Sequence, residues 1–278
     1  MKLGIFAKTF DGSDPAAVLR SVADAGFASA QYNMACSGLA PMPDTIGTEQ
    51  AAAVAAAAEV SKVEIVAVSG TYNMIHPNIA VREAGHRRLE ELAKHCAAMS
   101  TGLITLCTGT RDPLDQWRAH SGNDLPDAWR DLLEAMEIAI EIAERYDVDL
   151  GIEPELANVI NSAQKAHRLI AELKSQRLKV VIDPANLFEV APLDEQRHIV
   201  SSAIDLMAEH IVMAHAKDRN PDGSFATAGK GVIDYPHYLG RLKQIGFSGN
   251  LVTHGLKADE AAGVAAFLRD LLATGGTR

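Results

Sequence analysis

Four residues able to bind a metal or move a proton, Glu153, Asp183, His215 and His254, each close a short run of mostly β-favouring residues. The runs span residues 148–153, 178–183, 210–215 and 249–254, and each is followed by a turn or helix-start signal, Pro154 and Pro184 among them. Side chains alternate along a strand, so Glu153 shares a face with Gly151, Asp183 with Val181, His215 with Met213 and His254 with Val252. If those faces line one barrel, two carboxylates and two imidazoles converge on its axis. Such a mixed oxygen and nitrogen set suits a divalent ion (Mn, Zn, Co, Fe or Mg) rather than a thiolate-selective metal, and ligand type does not choose among these ions.

The rest of the chain must supply the barrel. Further strand patterns lie at residues 2–7, 27–32, 63–68 and 102–107, and helical patterns separate all eight runs, beginning with the cap Asp14-Pro15. Eight strands alternating with eight helices predict a (β/α)8 TIM barrel, a single domain over residues 1–278. An open doubly wound sheet would carry a glycine fingerprint after the first strand, where Ala7-Lys8-Thr9-Phe10 stands instead. Residues 108–126 form a loop too long for a plain connection, which predicts a lid whose Arg111 and His120 touch substrate. His76, after the third strand, and Asn186, after Asp183, are further candidate substrate contacts. Lys217 is placed either to stabilise an enolate oxygen or to pair with Asp218, and Glu155, beyond Pro154, is expected to be exposed.

Composition narrows the function. A net charge of -10 and a pI near 5.4, with no basic run longer than Arg87-Arg88, argue against nucleic acid. Three cysteines, Cys36, Cys96 and Cys107, show no CxxC spacing, so a reducing cytoplasm is expected rather than a disulfide frame. No apolar run reaches membrane-spanning length, and the N-terminus reads as a first strand rather than a signal segment. The expected partner is a small molecule, and a homo-oligomer is left open.

Several motifs resemble the xylose-isomerase-like barrels, which include sugar isomerases, ketose 3-epimerases, dehydratases and endonuclease-IV-like enzymes. They are Ile152-Glu153-Pro154, Val181-Ile182-Asp183-Pro184-Ala185-Asn186, His215-Ala216-Lys217-Asp218, Gly229-Lys230-Gly231-Val232-Ile233-Asp234-Tyr235 and Gly246-Phe247-Ser248-Gly249-Asn250-Leu251-Val252. The resemblance implies a divalent metal on Glu153, Asp183 and His215, with a fourth ligand from the eighth strand. There the family usually has Glu and this chain has His254, which weighs against epimerisation by two carboxylates. The expectation is a metal-dependent isomerase or epimerase acting on a sugar or polyhydroxy carbonyl compound through an enediolate, with Glu153 as base. A dehydratase and a non-catalytic sugar-binding barrel are the alternatives. Lys8, Asn33 and Ser69 at the ends of the first three strands do not supply the histidines of a trinuclear zinc nuclease.

Overall fold

The computed structural model describes residues 1–274. Strands β1 (Lys2–Phe6), β2 (Ser29–Tyr32), β3 (Glu64–Ser69), β4 (Leu103–Leu106), β5 (Asp149–Ile152), β6 (Leu178–Ile182), β7 (Ile211–Ala216) and β8 (Asn250–Thr253) are all parallel and close on themselves, β1 pairing with both β2 and β8. Helices α1 (Pro15–Asp24), α2 (Thr48–Ser61), α3 (Ile79–Cys96), α4 (Pro126–Tyr146), α5 (Ala163–Leu173), α6 (Leu193–Met207), α7 (Tyr235–Gln244) and α8 (Ala261–Ala273) follow the strands in turn. The expected (β/α)8 barrel is therefore the observed one, a single domain. Among the described residues no helix is long and apolar enough to cross a membrane.

Local chemistry explains the boundaries. Asp14 caps α1 by accepting the Ala16 amide, with Pro15 in the first turn where its missing N–H is not needed. Pro126 plays the same part for α4. The segment after β7 contains a two-stranded antiparallel ribbon of Asp218–Arg219 and Phe225–Ala226. Its strands are two residues each, too short for alternation to show in the sequence.

Two hydrophobic layers hold the fold. The larger lies between the sheet and the helices, and a smaller one inside the barrel joins Ala67, Val181, Met213 and Val252. Three of those four sit two residues before Asp183, His215 and His254, so the alternation inferred for these strands is present. Gly151, two before Glu153, has no room for a side chain: a Cβ there would lie 2.9 Å from Val181 Cγ2. Register then raises the site in steps. Val181 aligns with Met213, which sets Asp183 level with His215, whereas Val252 aligns with His215, which sets His254 two residues higher, level with Lys217. Strand tilt around the barrel brings these levels together.

Gly151→Val should therefore destabilise the barrel by roughly 1–3 kcal/mol through overpacking. Gly240→Ala, in α7 with nothing within 4 Å of the added methyl, should stabilise it by about 0.5–1 kcal/mol. Thermal unfolding of the two variants checks both signs.

Candidate active site

The C-terminal ends of β5 to β8 open on a cavity of about 1100 Å³. Pro154 ends β5 directly after Glu153, and Pro184 opens a 3-10 turn, Pro184–Asn186, whose first amide is capped by Asp183 Oδ1. Helix α7 holds the strand ends from behind. The Tyr238 hydroxyl lies 3.1 Å from the carbonyl oxygens of both Ile182 and His215, and the Tyr235 hydroxyl donates to Lys217 O at 2.9 Å. Thr253 Oγ1 donates to Ala216 O at 2.8 Å, tying β8 to β7.

Glu153, Asp183, His215 and His254 each offer one ligand atom within 4.8 Å of all the others. His215 Nδ1 is 3.3 Å from Glu153 Oε1, and His254 Nε2 is 3.0 Å from Asp183 Oδ2. Donors sharing one tetrahedral ion at about 2.1 Å lie about 3.4 Å from one another, so this set fits a single divalent ion. The other nitrogen of His215 is 3.0 Å from Gln31 Oε1, while Gln31 Nε2 donates to Thr105 Oγ1 at 3.0 Å. Orientation of a ligating imidazole through its second nitrogen is a recurrent feature of metal sites. Asn186 Nδ2 donates to Glu153 Oε1 at 2.7 Å and so fixes that carboxylate.

The electrostatics of the cluster are reciprocal. Burial alone would raise Asp183, but the hydrogen bond and charge of His254, with Lys217 and His215, hold its carboxyl well below the usual range. Burial and the neighbouring His215 push His254 down against the pull of Asp183. His254 Nε2 faces the Asp183 carboxylate at 3.0 Å, placed to donate to it. Burial lowers His215 as well, but Glu153, by charge and hydrogen bond, and Asp183 outweigh it, and the imidazole titrates above its ordinary value. One nitrogen faces a carboxylate and the other faces Gln31 Oε1, an acceptor on each side, which favours the form in which both nitrogens bear a proton.

Lys217 lines the cavity with its ammonium 3.1 Å from the centroid of the Phe225 ring. The Arg219 guanidinium lies over the same ring at 4.3 Å and donates to Ala185 O and Gly223 O. Asp218 is turned away from Lys217: it accepts the amides of Arg219, Gly229 and Ile233. The Gly-Lys-Gly motif is a clamp on this loop. Gly229 adopts φ +82°, and a Cβ on Gly231 would lie 2.1 Å from Arg219 O, while Lys230 reaches out to Glu260. Glu155, expected to be exposed, instead lines the cavity. Burial, with Glu153 beside it, holds its carboxyl well above the usual range.

The 108–126 loop also lines the cavity, through Gln116, Trp117, Arg118 and Ala119 rather than through Arg111 or His120. Arg111 donates to Ile75 O at 3.0 Å and pairs with Asp131 at 2.8 Å, fastening the loop to α4. His120 Nδ1 accepts the Gly122 amide and starts the turn Ser121–Asp124. His76 likewise spends Nδ1 on the Asn78 amide and places Nε2 3.1 Å from Pro113 O, lining an adjoining groove rather than the cavity itself. None of these three expected substrate contacts lines the cavity, because nearby groups engage each polar head first. The loop itself is pinned by three amides: Asn73 to Thr110, Asn158 to Gly109, and Asn123 to Arg111 and Ala157.

Comparison with known proteins agrees with this architecture. The profile of the Xylose isomerase-like TIM barrel family matches residues 19–271, and the chain belongs to that family. No curated protein sequence matches it. Among solved structures it is similar to 3-keto-D-glucoside 4-epimerase from E. coli, at 15% identity over 97% of this chain and 99% of that one, with a TM-score of 0.76. It is similar to D-psicose 3-epimerase at 15% identity over 100% of both chains, TM-score 0.75. A probable 3-DHS dehydratase from Bacillus anthracis aligns at 11% identity over 97% of this chain and 99% of that one, TM-score 0.75. At these identities the likeness is one of fold.

An ion entering this cluster must displace the His215 proton. Calorimetric titration with Mn²⁺ should show release of about one proton per ion near neutral pH. Affinity should fall as pH is lowered through the raised His215 titration and level off above it, with the proton release gone in His215→Ala. An affinity independent of pH contradicts the arrangement.

Proposed function

We propose that the chain is a divalent-metal-dependent isomerase or epimerase of a sugar or similar polyhydroxy carbonyl compound, working through an enediolate. The observation that carries this reading is the Glu153, Asp183, His215 and His254 cluster opening on the barrel-mouth cavity. A divalent ion held by those four side chains supplies Lewis-acid polarisation of a carbonyl and its neighbouring hydroxyl. Glu153 is the base that takes the proton alpha to the carbonyl, its Oε1 steadied by Asn186. Lys217 sets a fixed positive charge in the same cavity for the oxyanion that develops. The rim loop, with Gln116 and Trp117, shields that charge from water. Three free, buried cysteines suit a reducing cytoplasm.

One feature favours a second reading. Loss of water from an enediolate needs an acid to protonate the departing hydroxyl, and Glu155, whose carboxyl burial and Glu153 hold well above the usual range, stands in the same cavity as the base. Dehydration is therefore the competing outcome of the same proton abstraction.

Manganese-loaded protein in D2O should introduce deuterium at the carbon next to the carbonyl in members of a panel of ketoses, keto-sugars and cyclitol ketones. Glu153→Gln should lower that exchange by about 100- to 10,000-fold, and removal of metal with a chelator should abolish it. Absence of exchange across the whole panel defeats the reading. Nuclear magnetic resonance of the products decides between the two outcomes. If the chain is a dehydratase, Glu155→Gln should retain deuterium exchange while losing the unsaturated product.

A further inference from the structure

The cavity is far larger than one sugar. A hexose has about twelve non-hydrogen atoms, and at no more than the ~30 Å³ share of a liquid water molecule for each it fills at most about 360 Å³. The cavity measures about 1100 Å³. It also does not end at its own wall. A second groove of about 420 Å³ shares Pro41, Thr71 and Gln116 with it, and so continues it across the mouth of the barrel over the β2 and β3 loops.

The lining changes along this path. At the cluster end it is charged, with Glu153, Glu155, His215, Lys217 and His254. Farther out, the loop after β4 presents Trp117, half exposed, to the cavity and the almost fully exposed Leu114 to the groove, joined there by Met42 and Pro41. An indole held with much of its surface open to a polar cavity offers a platform for the C–H face of a sugar ring, whose hydroxyls stay directed to water. The other half-exposed ring on the wall, Phe225, already has Lys217 over it, so Trp117 is the platform left open.

We infer that the outer part of this cavity, from Trp117 across Thr71 and Gln116 to Leu114, is a second binding subsite for a sugar ring, and that the ligand is a two-ring saccharide or glycoside rather than a free monosaccharide. The inference rests on the sugar-converting function proposed above and names its substrate class. The reacting ring sits against the four-residue cluster, and the glycosidic bond points outward toward Trp117. Nothing in the chemistry requires the second ring to react; its binding energy positions the first.

The test is calorimetry on the manganese-loaded protein, comparing D-fructose with turanose, lactulose and isomaltulose, in which a second hexose is carried on different hydroxyls of the same ketose. At least one two-ring sugar should bind at least tenfold more tightly than fructose. Trp117→Ala should bring its affinity down to the fructose value, and Thr71→Trp, which fills the passage into the groove, should do the same. Equal affinity for one-ring and two-ring sugars, an advantage untouched by both variants, or no binding of any of the four sugars overturns the subsite. Deuterium exchange from D2O, followed on the same sugars, separates this result from the catalytic reading. Exchange into fructose with no two-ring advantage leaves the enzyme and removes the subsite. A two-ring advantage without exchange, there or in the wider panel, leaves the subsite and removes the catalytic reading.

Discussion

Two carboxylates and two imidazoles occupy one barrel mouth because each acid is set against a base. Asp183 is wholly inaccessible to solvent, and an isolated charge in such a position would cost many kcal/mol. Its partner His254, 3.0 Å away, and the Glu153–His215 pair at 3.3 Å offset that cost, and they do so only if all four strands keep their register. A slip of one residue in β6 or β7 would turn a charged tip into the apolar layer under the helices and bring Ile182 or Ala214 to the site in its place. The small interior layer of Ala67, Val181, Met213 and Val252 is therefore the mechanical counterpart of the charge cluster above it.

Around that centre the strand ends are held from outside. The two tyrosines of α7 bind the last carbonyls of β6 and β7, and Gln31 reaches from β2, across the barrel, to hold His215. The loop after β7 folds around the buried carboxylate of Asp218, which takes three main-chain amides and so has nothing left for Lys217. Freed from an ion pair with its neighbour, the lysine ammonium settles over Phe225 at the cavity wall. Charge placement at the site is thus decided by hydrogen bonds made one layer out.

The strands and the four converging side chains were legible because each strand ends on a polar residue after an apolar run, and period-two alternation needs no knowledge of distant contacts. The loops were not. Arg111, His120 and His76 are polar residues in the right places, and their side chains went to Asp131, Gly122 and Asn78 because those groups lie closer than the cavity does. Gln31 was missed for the opposite reason. It sits inside the strand Ser29–Tyr32 as a single amide, and only closure of the barrel brings it against His215. Glu155 was misplaced because a residue after a proline reads as solvent-facing, whereas the chain here turns back into the cavity, its amide bonded to Ile160 O.

The loop after β4 is fastened by Asn73, Asn123 and Asn158, and most of those bonds run from side-chain amide to main chain. Main-chain anchors are indifferent to what the intervening side chains are. Residues 114–119 therefore form a cassette that can be exchanged, residue for residue, with the barrel and its fastenings left as they are. A fold built this way separates the inheritance of a reaction from the inheritance of a preference. A change at a strand end disturbs four registers at once, while a change on the rim leaves them all in place.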